Sequence, residues 1–212
     1  MQEEERLVRR AQQQDEAALA QIYETYFNRL YRYVVVRVGN RAEAEDVTQQ
    51  VFLKVLQSLP SYKFKGVPFS SWLFRIAHNL VVDYHRRNKK AVAAAFEMAV
   101  LLGKEEDPAQ IAEQTLMMRE VNEALPQLTM LQQEVVSLRF TAELSTAEAA
   151  QVLGKSEGAI KALQHSALVS LRQILVEKSK ENERETSRHP GRVPETHPGP
   201  GREPGTVPEE LP

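Results

Sequence analysis

Apolar residues that recur every three or four positions are the feature that most limits how this chain can fold. They repeat in this way over residues 15–38, 42–59 and 69–84. This spacing is the period of an α-helix with one buried face, whereas a half-buried strand alternates with a period of two. No segment of the sequence shows a competing strand pattern. The sequence therefore predicts an all-α protein whose first module is a bundle of three helices.

A second group of helical patterns follows a weaker stretch. Between residues 88 and 114 the periodicity fades, and residues 103–108 (Gly-Lys-Glu-Glu-Asp-Pro) have the composition of a linker. Helical spacing then returns in the segments 116–125, 131–140, 145–153 and 156–176. We predict two small helical modules, a linker and a tail, with the bounds 1–90 for the first module, 91–114 for the linker, 115–178 for the second module and 179–212 for the tail.

The predicted tail is rich in proline and glycine and contains Pro-Gly-Pro-Gly at residues 198–201. Such a segment buries too little apolar area to offset the conformational entropy lost on ordering it. We predict that it is disordered, with local polyproline II character at most. An exposed spacer is the simplest interpretation of its composition.

Several functional classes are disfavoured by what the sequence lacks. No run approaches the ~18 apolar residues that cross a bilayer, so we expect no membrane insertion. The chain has no cysteine, which excludes disulfides and thiolate catalysis and fits a cytoplasmic location. No metal-ligand spacing, phosphate-binding loop or nucleophile–base pair is apparent. We expect no metal, no cofactor and no enzymatic activity.

Charge is more informative locally than in total. The formal net charge is −2, whereas domains that bind nucleic acid commonly carry an excess of Lys and Arg. The acidic excess comes from the segment after residue 181, and the rest of the chain has equal numbers of basic and acidic residues. Any positive field must therefore come from local clusters.

The most specific local motif is a predicted helix-turn-helix over residues 145–161. Ser145 and Glu148 have the spacing of a capping box, in which each side chain pairs with a backbone N–H at a helix start. Gly154 can adopt the left-handed conformation that ends the first helix, and Ser156 can cap the second. In DNA-binding proteins the second helix of such a motif enters the major groove. A helical hairpin inside a core uses the same caps and is the alternative.

Polar residues on the second helix of this motif are candidates for contact with base edges or phosphates. They are Ser156, Glu157, Lys161, Gln164 and His165, with Arg172 placed for contact with the DNA backbone. Because the helix carries few basic residues, its electrostatic contribution to DNA affinity should be modest.

Aromatic and cationic residues alternate around the third predicted helix and the loop before it. Aromatic faces suit unstacked bases and cations suit a phosphate backbone, the combination found in proteins that bind single strands. The candidates are Tyr62, Lys63, Phe64, Lys65, Trp72, Arg75, Asn79, Arg86 and Arg87. Trp72 also has helical spacing with Ile76 and Leu80, so a place in the core is an equal alternative for it. Arg86 and Arg87 lie at a helix end, where cations also favour the helix dipole.

The motifs follow one another in an order that is typical of one protein family. Residues 44–53 (Ala-Glu-Asp-Val-Thr-Gln-Gln-Val-Phe-Leu) and residues 69–87 resemble the polymerase-binding helix and the promoter-melting segment of sigma-70 family factors of the extracytoplasmic-function (ECF) type. Ala124-Leu125-Pro126, Leu138-Arg139-Phe140 and the helix-turn-helix resemble the family's fourth conserved region. The likeness covers about residues 15–175 apart from the linker.

The resemblance implies a sigma factor that binds core RNA polymerase and directs promoter-specific initiation. The first module would be sigma region 2, and its contacts with the beta and beta-prime subunits would be made by Asp46, Gln49, Gln50 and Phe52. The aromatic and cationic cluster would recognise and melt the minus-ten element, with Asn79 and the loop over residues 61–68 receiving a flipped base. The second module, region 4, would read the minus-thirty-five element. An anti-sigma factor and a nucleoid-associated location in the cytoplasm are also implied.

Some positions depart from the family pattern. Gln50 stands where Glu is usual, Ala142-Glu143 replaces a frequent Glu-Gly, and Leu163 and Ser166 stand where Arg is frequent. These differences remove one charge from the polymerase-binding helix and two cations from the recognition helix. Two other interpretations remain open at this point: a helix-turn-helix activator that is not a polymerase subunit, and a helical adaptor without a DNA role.

Overall fold

The computed structural model describes residues 2–64, 66–88, 121 and 123–188. Within these residues all regular secondary structure is helical, which confirms the predicted class. The predicted linker and the segment 189–212 lie outside the described residues, and so does Lys65.

The first module begins with a helix that the sequence patterns did not predict. Helix α1 spans Gln2–Gln12 and buries Val8 and Ala11 against the rest of the module. These residues form only one short apolar stripe on an otherwise polar and charged helix. The stripe is too short for its helical period to be recognised in the sequence. The Tyr26 hydroxyl donates a hydrogen bond of 2.7 Å to Glu4, which joins α1 to the second helix.

Helices α2, Glu16–Val38, and α3, Arg41–Ser58, match the first two predicted helices. The Asp15 carboxylate accepts the backbone N–H of Ala18 at the start of α2, and Gly39 ends α2 with a left-handed φ of 87°. Asn40 then caps α3 through the backbone N–H of Glu43. With only two residues between them, the helices form a tight antiparallel pair.

The third predicted helix is α4, Phe69–Arg87, and a short 3₁₀ turn, Leu59–Ser61, precedes its loop. Pro60 lies inside this turn, where its missing N–H costs little because the first donors of a helix are unpaired in any case. The last turn of α4 carries His85, Arg86 and Arg87, which suits the negative end of the helix dipole.

The second module contains three further helices within the described residues. A 3₁₀ turn, Leu125–Gln127, leads to α5, Met130–Val136, which continues as a π-helical turn over Ser137–Thr141. Helix α6 spans Thr146–Leu153 and α7 spans Glu157–Arg188. The end of α7 differs from the prediction, because the helix continues past the module boundary set at residue 178 into the segment assigned to the tail.

The helix-turn-helix has the predicted caps. The Ser145 side chain accepts the backbone N–H of Glu148, and the Glu148 carboxylate accepts the backbone N–H of Ser145 at 2.7 Å. Gly154 adopts a left-handed φ of 62° and ends α6. Ile160 is fully buried, which fixes α7 against the rest of the motif.

The two modules share most of one hydrophobic core instead of having separate cores. A single buried cluster joins Tyr33, Phe69 and Phe74 of the first module to Leu138, Leu144 and Ile160 of the second. A smaller cluster around Leu125, Leu128 and Leu171 belongs to the second module alone. Helices α4 and α6 pack directly against each other in the shared region.

Candidate nucleic-acid interface

A group of aromatic rings in tilted and edge-to-face contact lies at the loop between the 3₁₀ turn and α4. The Tyr62 ring centroid lies 4.7 Å from that of Trp72, 5.3 Å from that of Phe69 and 5.6 Å from that of Phe64. Phe69 is fully buried, whereas Trp72 is half-buried. Trp72 packs against the core and also borders a cavity, so its place in the core is confirmed and contact with DNA stays a prediction.

That cavity has a volume of about 460 Å³, in the range of pockets that hold small ligands. It is lined by Ser58, Ser61, Tyr62, Lys63, Val67, Ser71, Trp72, Arg75 and Gln151. The hydroxyls of Tyr62 and Ser71 are buried and have no hydrogen-bond partner among the described residues. Burial, with the nearby carboxylates of Glu4 and Glu5, raises the pKa of Tyr62, so its phenol stays a donor at neutral pH. The cavity thus offers aromatic walls, unpaired hydroxyls and two cations.

One residue that positions this loop was missed by the sequence patterns. The side-chain amide of Gln12, at the end of α1, donates to the backbone carbonyls of Leu59 at 3.0 Å and Tyr62 at 2.8 Å. These two bonds fasten the 3₁₀ turn that leads into the aromatic group. A contact between residues so distant along the chain has no signature in helical periodicity.

The remaining candidates on α4 form a separate stripe. Arg75, Asn79 and Arg86 are exposed and lie at spacings of four and seven, which places them on one face of the helix. Asn79 does not line the cavity, so the structure separates it from the loop with which it was predicted to act. Arg86 contacts Asp83 at 3.1 Å, and Arg87 donates to the carbonyl of Asp83.

The predicted polymerase-binding helix, α3, has a polar face and an apolar one. Asp46, Gln49 and Gln50 are exposed, as a contact surface requires. Phe52 is only 8% exposed, and its ring packs at a tilt against that of Tyr23, with centroids 4.7 Å apart, so it belongs to the core and not to that surface.

Two leucines extend the exposed face of α3. Leu53 and Leu56 are 58% and 47% exposed, although Leu56 is one of the apolar residues whose helical spacing over 42–59 predicts a buried face. Since Leu53 and Leu56 follow Gln49 by four and seven residues, they continue the same side of the helix. The surface formed by Asp46, Gln49, Gln50, Leu53 and Leu56 is called the α3 face below.

The predicted recognition helix, α7, exposes most but not all of the candidate contact residues. Glu157, Lys161, His165 and Arg172 are exposed, and Ser156 caps the helix through the N–H of Ala159. Gln164 is half-buried, and its carbonyl accepts a hydrogen bond of 3.0 Å from Arg139. The Gln164 side chain is therefore engaged in a contact within the module and is not freely exposed.

Glu134, in the C-terminal half of α5, is a buried carboxylate surrounded by groups of the first module. It accepts a 2.5 Å hydrogen bond from the Tyr33 hydroxyl and lies 3.0 Å from both the Arg37 guanidinium and Nδ1 of His78. Arg37 also donates to the side-chain carbonyl of Gln133 at 3.1 Å. We refer to Tyr33, Arg37, His78 and Glu134 as the Glu134 network.

The network sets the ionisation of its members. Burial alone would raise the pKa of Glu134, but the contact with His78, the charge of Arg37 and the bond from Tyr33 together hold it below the ordinary glutamate value. Burial and the adjacent carboxylate raise the pKa of Tyr33 well above its usual value. At neutral pH the network therefore contains an ionised carboxylate, a neutral phenol and a guanidinium.

Further contacts between the modules surround the cavity. The Ser70 hydroxyl donates to the Glu148 carboxylate, and Arg75 donates to the backbone carbonyl of Gln151. Arg29 donates to the carbonyl of Ala142 at 2.9 Å. Helix α6 thus lies against the start of α4, beside the cavity.

The described residues contain no group of three or more His, Cys, Asp or Glu placed to hold a metal ion. None of the helices in that part of the chain combines the length and the apolar character that a membrane span needs.

Comparison with protein families matches both modules. The family description Sigma-70 region 2 matches residues 22–91, and Sigma-70, region 4 matches residues 124–173. The first match contains α3, the aromatic loop and α4, and the second contains the helix-turn-helix. Together the two matches cover more than half of the chain.

Individual relatives agree with this assignment. The chain is 38% identical over 170 residues to the ECF RNA polymerase sigma factor BldN of Streptomyces coelicolor, over 80% of this chain and 64% of BldN, so it spans less than two thirds of that relative. It is 33% identical to the ECF factor SigD of Mycobacterium tuberculosis, over 76% of this chain and 79% of SigD.

A solved structure supports the fold. CnrH, in complex with the cytosolic domain of CnrY, matches with a TM-score of 0.63 at 23% identity, over 82% of this chain and 97% of that one. From the two region matches and the identity to SigD, the chain belongs to the ECF subfamily of the sigma-70 family.

Proposed function

We propose that this chain binds core RNA polymerase and directs it to promoters, where the first module melts the minus-ten element and the second reads the minus-thirty-five element. The observation that supports this most is the cavity beside Trp72. Its aromatic walls and its unpaired Tyr62 and Ser71 hydroxyls suit an unstacked base, which must both stack and form hydrogen bonds to offset the cost of leaving the duplex.

The exposed stripe of α4 complements the cavity. Arg75, Asn79 and Arg86 share one face of the helix and supply cations and an amide for a strand that continues away from the flipped base. The duplex-binding activator remains a weaker interpretation, because an activator that reads only duplex DNA has no use for a cavity of this kind.

Polymerase binding is assigned to the α3 face. Two exposed leucines follow three exposed polar side chains along this side of the helix, and protein interfaces combine apolar contact area with polar side chains. The second module would read duplex DNA through Lys161, His165 and Arg172, with Ser156 and Glu157 near the start of the helix. Because Leu163 and Ser166 carry no charge, α7 would make fewer contacts with phosphates.

The proposal includes a regulator and a site of action. Members of this family commonly act under an anti-sigma factor, and CnrH is bound to the cytosolic domain of CnrY in the solved structure that matches here. We assign the same kind of partner to this chain, and action at the nucleoid in the cytoplasm.

Run-off transcription with purified core polymerase tests the function. Because the promoter is unknown, the template pool carries randomised segments at minus-ten and minus-thirty-five, and the transcripts are sequenced. We expect start sites that appear only when the chain is added, with one sequence enriched in each segment. Polymerase that gives the same transcripts with and without the chain would contradict the proposal. No chain-dependent start with core polymerase, although the chain binds duplex DNA, would favour the activator.

A further inference from the structure

We propose that Glu157 is a specificity-determining residue of the second module, and that its carboxylate selects a cytosine of the minus-thirty-five element through the exocyclic amino group of that base. The inference rests on the proposed function, because the second module must bind duplex DNA for Glu157 to meet a base. It adds to that function the identity of one selected base and of the residue that selects it.

Three polar side chains in the first turns of α7 already have partners within the second module. Ser156 caps the helix, and Gln164 accepts a hydrogen bond of 3.0 Å from Arg139. The Ser166 hydroxyl accepts a hydrogen bond of 3.0 Å from the side-chain amide of Gln132. DNA would have to compete with these contacts, so none of the three is well placed to select a base.

The other polar side chains of these turns, Glu157, Lys161 and His165, form an exposed stripe. They are spaced by four residues, so they lie on the same face of α7, and Arg172 continues that face seven residues after His165. The side chains of the stripe form no hydrogen bond or ion pair with other described residues. The face that is available for DNA therefore begins with a carboxylate and continues with the cations Lys161 and Arg172.

Gly158 leaves the helix surface beside Glu157 bare. Its φ is not left-handed, and a Cβ at this position would meet no neighbouring segment, since the nearest atom is the Ser156 hydroxyl oxygen at 4.0 Å. Glycine within a helix costs stability relative to alanine. Because the fold of the chain does not require glycine here, the bare backbone suits the close approach of a partner such as the edge of a base pair.

The chemistry of a carboxylate decides which base it can select. In a helix-turn-helix the N-terminal residues of the second helix contact base edges, and the oxygens of an ionised carboxylate only accept hydrogen bonds. In the major groove guanine presents two acceptors, and thymine presents a carbonyl and a methyl group. Adenine has an amino donor beside an acceptor, whereas cytosine has its amino donor alone. Glu157 should therefore prefer cytosine, then adenine.

Selection from randomised duplexes tests the assignment. Duplexes randomised over the minus-thirty-five segment are selected for binding to the full-length chain, alone and bound to core polymerase. At one position we expect cytosine to be enriched about tenfold over guanine and thymine. Glu157→Gln should shift that position to adenine, because an amide pairs with both N6 and N7 of adenine.

Glu16→Gln is the matched control for this selection. Glu16 is an exposed acid in the first turn of α2, as Glu157 is in the first turn of α7, so both substitutions remove the same favourable contact with a helix dipole. Only Glu157→Gln should change the selected sequence. Selection of the same sequence by both variants would overturn the inference, and chain-dependent transcripts in the run-off experiment would still support the proposed function.

Affinities for single duplexes separate base selection from a structural role. Glu157→Gln should bind the selected duplex about tenfold more weakly, from loss of the contact with cytosine. It should bind an unrelated duplex no more weakly than the unsubstituted chain, because the lost carboxylate repels phosphates. Equal loss on both duplexes would assign Glu157 to the stability of α7 and overturn its role in selection.

A bulky residue at Gly158 tests the close approach of α7 to the base pairs. Gly158→Met should weaken binding of the selected duplex about tenfold, because it displaces the contact of Glu157, without lowering the melting temperature. Ala17→Met is the control, since Ala17 is the exposed second residue of α2 and Gly158 is the exposed second residue of α7. Equal binding by the two variants would overturn the close approach and, with it, the contact between Glu157 and a base.

Discussion

Replacing Gln12 by methionine tests whether α1 positions the aromatic loop. The substitution keeps the length of the side chain and removes its two donors. Each net hydrogen bond contributes about 0.5–1.5 kcal/mol to stability, so the loss should be about 1–3 kcal/mol. The lower half of this range is expected, since the Leu59 carbonyl keeps the N–H of Tyr62 as a partner. Urea unfolding should show a lower midpoint at an unchanged slope.

The functional consequence separates positioning from general stability. With the 3₁₀ turn released, open-complex formation on duplex promoters should fall, whereas initiation on a template with a pre-melted bubble should change little, because that template needs no help in unpairing. Gln13→Met, at the exposed neighbouring position, is the control and should alter neither measurement. Equal loss on both templates would refute the positioning role.

Three other predictions test separate surfaces. Asp46→Arg should weaken binding to core polymerase about tenfold in a pull-down titration without lowering the melting temperature, whereas Phe52→Ala should cost about 3–5 kcal/mol in urea unfolding because it empties part of the core. Lys161→Ala should lower the salt slope of duplex binding by roughly one and weaken all minus-thirty-five sequences alike; a changed sequence preference would contradict this. Because the folded pKa of Glu134 is depressed, its contribution to stability is complete above the ordinary value of 4.5 and is lost as the pH falls through the folded pKa. The stability gap between the unsubstituted chain and Glu134→Gln, followed by urea unfolding, should therefore narrow below about pH 4.5; a gap independent of pH would contradict it.

Local signals in the sequence account for most of the helices. The caps at Asp15, Ser145 and Gly154 depend on groups within a few residues of each other, and the apolar period needs only one helix at a time. These features were therefore predictable, including both helices of the helix-turn-helix and its turn.

The candidate site was predictable only in part, because its geometry depends on contacts between distant segments. Period alone could not decide that Phe52 is buried while Leu56 is exposed, since both lie near the edge of the apolar face of α3. The bonds of Gln12 to the loop and of Glu134 to the first module join residues far apart in the chain. Such pairs have no fixed spacing that a single sequence could reveal.

The carboxylate of Glu148 has two tasks. It caps α6 through the backbone N–H of Ser145 and also accepts the hydroxyl of Ser70. A substitution at Glu148 would therefore alter the start of the helix-turn-helix and the contact between the modules together. Ser70 lies on the other side of that contact and has no part in the cap, so a substitution at Ser70 would change the contact between the modules and leave the start of the helix-turn-helix intact.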